Sequence, residues 1–249
     1  MPKPEIFPNA PIKEALVDLR VTPLDDSDLS KLDPFVDRLS ERFPIKEERL
    51  EQTHKISFDK SEGQEVTHRE VRKLGYVLFT QERDWAVQGR LDGFTVSKMK
   101  PYGHWEELRD EARELWNLYR DVVAPQSVIR LAVRYINRIE LPLPSLDFED
   151  YILTAPNIAD DIPQGLAQFF FRLVIPKPDD NITAIITSTL DSIEEGTNVL
   201  PYIFDIDTFI VANYEPSSDE IWFDLDRLRD FKNLIFYHSM TDKAKDLFR

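Results

Sequence analysis

The sequence predicts an α+β fold of mostly antiparallel sheet with packed helices, arranged as two successive sheet–helix units. Three observations carry that prediction. "IKEALVDLRV" (12–21) alternates apolar and polar residues with the period of a half-buried strand. The tract 70–98 reads as short strands broken at "ERD" and "LDG", an antiparallel meander. Two stretches, 104–123 and 217–240, repeat their apolar residues at helical spacing.

In the first strand Ala15, Val17, Leu19 and Val21 share one face, and Glu14, Leu16, Asp18 and Arg20 the other. Over 27–43, Leu32, Phe35, Val36, Leu39 and Phe43 recur at helical spacing, with Asp33 as cap and Pro34 suited to the first turn. "THKISF" (53–58) is a short strand, and "YVLFTQ", "WAVQGRL" and "GFTVSKM" are the strands of the meander. In 104–123 Trp105, Leu108, Ala112, Leu115, Trp116, Tyr119 and Val122 form one stripe, and the acids of the first turns suit the helix dipole. "SVIRLAVRYINRIELP" (127–142) is dense in β-branched residues and reads as a strand, after which "LPLPSLD" closes a first unit spanning 1–142.

The second unit spans 143–249. "GLAQFFFRLVIP" (165–176) and "NITAIITSTLD" (181–191) flank "KPDD", a hairpin turn, and the run Phe169, Phe170, Phe171 reads as core or interface. "YIFDIDTFIVANYE" (202–215) is one strand or a pair. The helix of 217–240 has Ser218 as a cap and groups Trp222, Leu225, Leu228, Phe231, Ile235 and His238 on one broad face. Thr241 caps a last short helix carrying Ala244, Leu247 and Phe248. The short linker implies that the two units share an interface.

Composition narrows the function. Of 249 residues 42% are hydrophobic and 31% charged, which suits a soluble globular chain with a proper core. The 7 glycines disfavour glycine-rich phosphate loops. The absence of cysteine rules out disulfides, thiolate metal sites and cysteine nucleophiles, and fits the cytoplasm. No apolar run of signal-peptide or membrane-spanning length occurs. The net charge is −15, unevenly spread: residues 1–142 carry 23 basic and 26 acidic side chains, residues 143–249 only 8 and 20. That balance disfavours generic nucleic-acid or anionic-membrane binding, which needs local positive charge.

The clearest chemical pattern is Arg130, Arg134 and Arg138, four apart and therefore on one strand face. One reading is an anion site, since guanidinium groups grip phosphate or carboxylate bidentately. The other is an ion-pair lattice in which Glu14 and Asp18 of the first strand meet the arginines across the sheet. On the lattice reading Arg134 is largely buried and Glu14 is its partner. Asn137, an amide on the otherwise apolar opposite face, needs hydrogen-bond partners if buried. Asp205 and Asp207 share a strand face, a weak candidate for a divalent metal or an acid/base pair. His54, His68, His104 and His238 form no metal-ligating spacing, and no metal or cofactor is implied. No glycine-rich nucleotide loop, HExxH or G-x-S-x-G occurs.

"NAPIKEALVDLRV", "RLAVRYINRIELP" and "LRDFKNLIFYHSMTDKAKDLF" together resemble a sporadically distributed, functionally uncharacterised bacterial and archaeal family of about this size. The resemblance spans nearly the whole chain and singles out Glu14, Arg134, Tyr135, Asn137 and Arg138. It implies no reaction, cofactor or catalytic residue. The expected function is that of a cytoplasmic, non-enzymatic binding protein acting with a protein partner, in an accessory or defence-linked role, with a homo-oligomer also open. The alternative is an enzyme or sensor that holds a nucleotide or other phosphorylated ligand on the arginine strand, with Asp205 and Asp207 holding Mg²⁺. Whether the chain catalyses anything is left open.

Overall fold

The computed structural model describes residues 7–22, 28–59, 64–143, 147–155, 158–159, 161–193 and 196–249, with the backbone alone for 52–59 and 64–70. In chain order, β1 (Ile12–Val21) leads through a 3₁₀ turn (Leu29–Leu32) into α1 (Asp33–Leu39). Then come β2 (Ile45–Asp59), β3 (Gln64–Phe79), β4 (Trp85–Arg90), β5 (Gly93–Met99) and α2 (Trp105–Val123). The rest is β6 (Val128–Pro142), β7 (Phe170–Lys177), β8 (Ile182–Leu190), β9 (Val199–Tyr214), α3 (Glu220–Ser239) and α4 (Asp242–Asp246).

The nine strands of the described residues join one antiparallel sheet, in the order β2-β3-β4-β5-β1-β6-β9-β8-β7. The α+β class and the antiparallel pairing therefore hold, but the two successive units are corrected to one sheet. The reason is β6, which pairs with β1 on one side and with β9 on the other. Alternation in a sequence tells which face a side chain takes; it does not tell which strand lies alongside.

The two halves nevertheless repeat one plan. Each opens with a strand, runs through a meander that returns to pair with that strand, and ends in a long helix. β5 closes on β1 and β9 on β6, and the opening strands meet antiparallel with Val17 opposite Val133. α2 lies over β5 and β1, and α3 over β9 and β6. The sheet face under the helices is the core. Val17, Leu19, Leu131, Val133 and Tyr135 are buried there against Leu115, Trp116, Leu225 and Leu228. Phe35 of α1 meets Phe94 and Tyr119 edge-on.

Local signals account for the helix ends. His104 caps α2, its Nδ1 accepting from the Glu107 N–H at 3.2 Å, with Glu106 and Glu107 in the first turn. Asp33 is the first helical residue of α1 rather than its cap, with Pro34 in the first turn. Ser218 Oγ accepts from the Glu220 N–H at 3.2 Å, although the residue at the cap position of α3 is Asp219. Thr241 caps α4 by accepting from Ala244 N–H at 3.1 Å. Among the described residues no helix is long and apolar enough to cross a membrane.

Candidate functional site

The uncovered face of the sheet carries the arginines that the spacing picked out. Arg134 of β6 grips Asp205 of β9, its Nε at 2.9 Å and its Nη2 at 2.6 Å from the two carboxylate oxygens. Arg130 donates to Asp18 at 3.3 Å and to Asp207 at 2.9 Å, passing over the ring of Phe209. Arg90 of β4 completes the row, donating to Asp18 at 3.0 Å and to the Thr95 hydroxyl at 2.8 Å. Arg138 lies beyond this row and pairs with Glu140 at 2.7 Å and Asp191 at 3.7 Å.

Two details correct the sequence expectation. The partner of Arg134 is Asp205, not Glu14, and the arginine is half-exposed rather than largely buried. β6 lies between β1 and β9, and the guanidinium leans toward β9, diagonal to its own cross-strand neighbour Asp207. Glu14 stands opposite Ile136 at the start of β1 and contributes to the field around Arg134 without bonding it.

Three guanidinium groups thus meet three carboxylates, with Arg130 bridging Asp18 and Asp207. Burial pushes the Asp18 carboxyl up, but Arg90, the Thr95 hydroxyl and Arg20 hold it, on balance, below its ordinary value. Burial wins at Asp207, whose carboxyl is pushed up despite Arg130 and Arg134, and whose Oδ1 is buried without a hydrogen-bond partner. Asp205 and Asp207 are each engaged by an arginine, the opposite of the exposed oxygens a divalent ion would use. Among the described residues no three His, Asp or Glu side chains come together as metal ligands. The side chains of His54 and His68 lie outside the described residues.

The other side of β6 holds what the arginine spacing did not reveal. Tyr135 and Asn137 point toward the helices, into a cavity of about 750 Å³. Its walls are the segment 7–12 before β1, the loop 100–106 that starts α2, β6, and the face of α3 bearing Arg229, Lys232, Asn233 and Phe236. The leading segment is fixed where it passes: Asn9 N–H donates to Phe248 C=O at 3.0 Å, and Arg138 N–H to Pro11 C=O at 2.8 Å. Asn137 finds the partners its burial demands, donating from Nδ2 to Phe204 C=O at 2.8 Å.

Lys232 is the unusual member. It is 7% exposed and stands in the buried stripe of α3 between Leu228 and Ile235. Its Nζ lies 3.6 Å from the centre of the Tyr135 ring, and among the described residues no carboxylate forms an ion pair with it. Burial, with Arg229 one turn earlier, pushes its ammonium down to about 7. The Tyr102 and Tyr135 hydroxyls meet at 2.6 Å, and burial pushes both phenols up, Tyr102 to about 12. Arg229 faces the ring of Trp105 at 5.7 Å, and its buried Nε lies 3.0 Å from the Asp230 carboxylate without the alignment of a hydrogen bond.

Among the described residues the cavity therefore combines aromatic walls with Lys100, Arg229 and Lys232 against a single carboxylate, Glu106. In a chain of net charge −15 this is a local reversal of sign. Such a lining suits an anion with an apolar body: charge-assisted hydrogen bonds for the first, ring faces for the second. The sequence did hold a signal for it. Ile221, Leu225, Leu228, Lys232, Ile235 and Ser239 step by four and three, so a lysine occupies a core position of α3. A stripe read through Phe231 and His238 passes it by.

No protein-family model matches the chain, and no curated protein is significantly similar to it.

Proposed function

We propose that the chain is a binding protein for a small organic anion with an apolar or aromatic body, held in the cavity between the 100–106 loop, β6 and α3. One observation carries this reading. Lys232 is buried with an aromatic ring for company and, among the described residues, no ion-paired carboxylate. A buried cation without a counter-ion is costly, and an anionic ligand seated beside it supplies what is missing. The cavity volume of about 750 Å³ falls in the range of small-molecule sites. Tyr135 and Asn137, two positions singled out by the family resemblance, belong to its wall. A phosphorylated ligand along the arginines of β6 has less support, because those guanidinium groups already hold carboxylates. The absence of cysteine is the support for a cytoplasmic location.

A thermal-shift panel tests the reading with aromatic carboxylates, nucleoside monophosphates and divalent cations. Ligand at a hundredfold excess over its Kd adds roughly 2.7 kcal/mol, a shift of several degrees. The expected result is stabilisation by aromatic carboxylates that is lost in Lys232→Met. A second reading, action through a protein partner, draws on the uncovered face of the sheet, where Phe170, Val174 and Val211 are exposed on β7 and β9. It gains ground if no small anion stabilises the chain.

A further inference from the structure

We propose that Lys232 is a nucleophilic amine that condenses with the carbonyl carbon of a 2-oxo carboxylate bound in the cavity, forming a Schiff base. This deepens the binding reading above and rests on it. Three features of the wall support it. First, the amine lies on the cavity wall and is screened from bulk water, 3.6 Å from the centre of the Tyr135 ring. Burial and Arg229 push its ammonium down to about 7, so at neutral pH a large share of it is the free amine that such chemistry needs.

Second, the Tyr102–Tyr135 pair can serve the oxygen. The two hydroxyls carry two protons, and only one lies between their oxygens at 2.6 Å. The other is free to donate to the carbonyl oxygen of a ligand, and burial keeps both phenols protonated. Third, Arg229 sits one helical turn from Lys232, placing a guanidinium where a carboxylate next to the reacting carbonyl can be held. Its present contact, Asp230, is an exposed neighbour and a weak competitor. Among the described residues, the titratable groups on the walls besides Arg229 and the two phenols are Lys100, His104, Glu106 and Tyr237.

The step balances without a further reagent. The nitrogen lone pair attacks the carbonyl carbon, the C=O π pair moves to oxygen, and a proton follows it, giving a carbinolamine. Nitrogen then loses its second proton as the C–O bond breaks and C=N forms. One amine and one carbonyl become one imine and one water.

The experiment is reductive trapping. The intact chain is incubated with phenylpyruvate and cyanoborohydride, and the modified lysine is located by peptide mass mapping. Phenyllactate, which keeps the ring and carboxylate but has no carbonyl, is the competitor. The expected result is an adduct concentrated on Lys232, suppressed by phenyllactate, with a yield that rises as pH passes through about 7. Arg229→Gln should lower the yield with phenylpyruvate about tenfold, and that with phenylacetaldehyde, which has no carboxylate, by much less, because only the influence of Arg229 on the amine is then lost. Because the map is made on the unaltered chain, it does not depend on any Lys232 variant folding. Label spread over exposed lysines, or none on Lys232, overturns the amine chemistry. If phenyllactate still stabilises the chain in that case, the binding reading stands alone. If neither compound stabilises it and no adduct forms, both fall.

Discussion

Arg134 holds Asp205 with two prongs across the β6–β9 pair, while Arg90 reaches Asp18 from β4 over the intervening β5. The two ion pairs belong to one polar row but differ in burial. The Arg134 side chain is 43% exposed, whereas those of Arg90 and Asp18 are 9% and 12% exposed. The two carboxylates are equally buried, Asp205 and Asp18 each at 12%, so water reaches the first pair from the arginine's side and the second from neither. Arg90→Ala should therefore destabilise by about 3–5 kcal/mol, because it leaves a buried carboxylate short of its partner. Arg134→Ala should lose less, about 1–3 kcal/mol, because it strips a buried carboxylate, Asp205, of an arginine that was already half in water. Urea unfolding of the two variants measures the difference, and equal losses would show that burial does not grade the row.

The carboxylates of the same row should respond oppositely to loss of charge. Asp18 is held below its ordinary value of 3.8, so its contribution is present above that value and is lost as pH falls through its lower folded value. Asp207 is raised, so its ionisation weakens the fold as pH climbs above 3.8, and the penalty is complete once the folded value is passed. At neutral pH Asp18→Asn should lower the melting temperature, and Asp207→Asn should leave it unchanged or raise it. Both differences should shrink when the melts are repeated at the acid end of the carboxylate range. A large loss in Asp207→Asn at neutral pH would mean that its bond to Arg130 outweighs its burial.

Gly75 marks where backbones crowd. A Cβ built on it lies 2.1 Å from the carbonyl oxygen of Gly89, a backbone atom that has nowhere to go. Gly75 also adjoins the shift of register between Arg49 and Leu50 in the β2–β3 pair. Gly75→Ala should therefore destabilise by about 1–3 kcal/mol. Loss of amide-exchange protection should centre on the β3–β4 pairing. An alanine tolerated there without loss would argue against the close approach of these strands.

What the sequence conveyed follows from what periodicity can encode. The alternation of β1 and the stripe of α2 are local, so each could be read along the chain, and Asp18, Val17 and Trp116 lie on the faces assigned to them. Strand adjacency is non-local. Nothing in "LPLPSLD" says that β6 pairs across to both β1 and β9. The same limit set Glu14 against Arg134, because two polar faces of matching spacing were known but their offset was not. The cavity escaped for a related reason. Its parts come from the segment before β1, the loop before α2, β6 and α3, which only the assembled fold brings together. Asn137 was legible as an amide in an apolar row, and Lys232 was legible in principle as a cation in one.

Lys232 should make the stability of the chain depend on pH in a window that few other groups share. Its folded value is about 7 and its unfolded value 10.5, so between the two the unfolded chain binds more protons than the folded one. The sign follows directly. Below about 7 both states hold the proton, and the full penalty of burying an ammonium is present. As pH rises toward 10.5 the folded state sheds the charge first, and stability rises by up to about 1.4 kcal/mol per pH unit. Lys232→Met keeps the length and apolar stem of the side chain but removes the charge. It should be more stable than the parent at neutral pH by a few kcal/mol, less a cation–π contribution of about 1–2 kcal/mol from Tyr135. The measurement is the difference between parent and variant in urea-unfolding free energy, taken across that window so that Tyr102, Tyr135 and His104 cancel. The difference should close steadily as pH rises. If it is flat, Lys232 keeps an ordinary ammonium in the fold, and the cavity lacks the unpaid charge on which ligand binding is argued to rest.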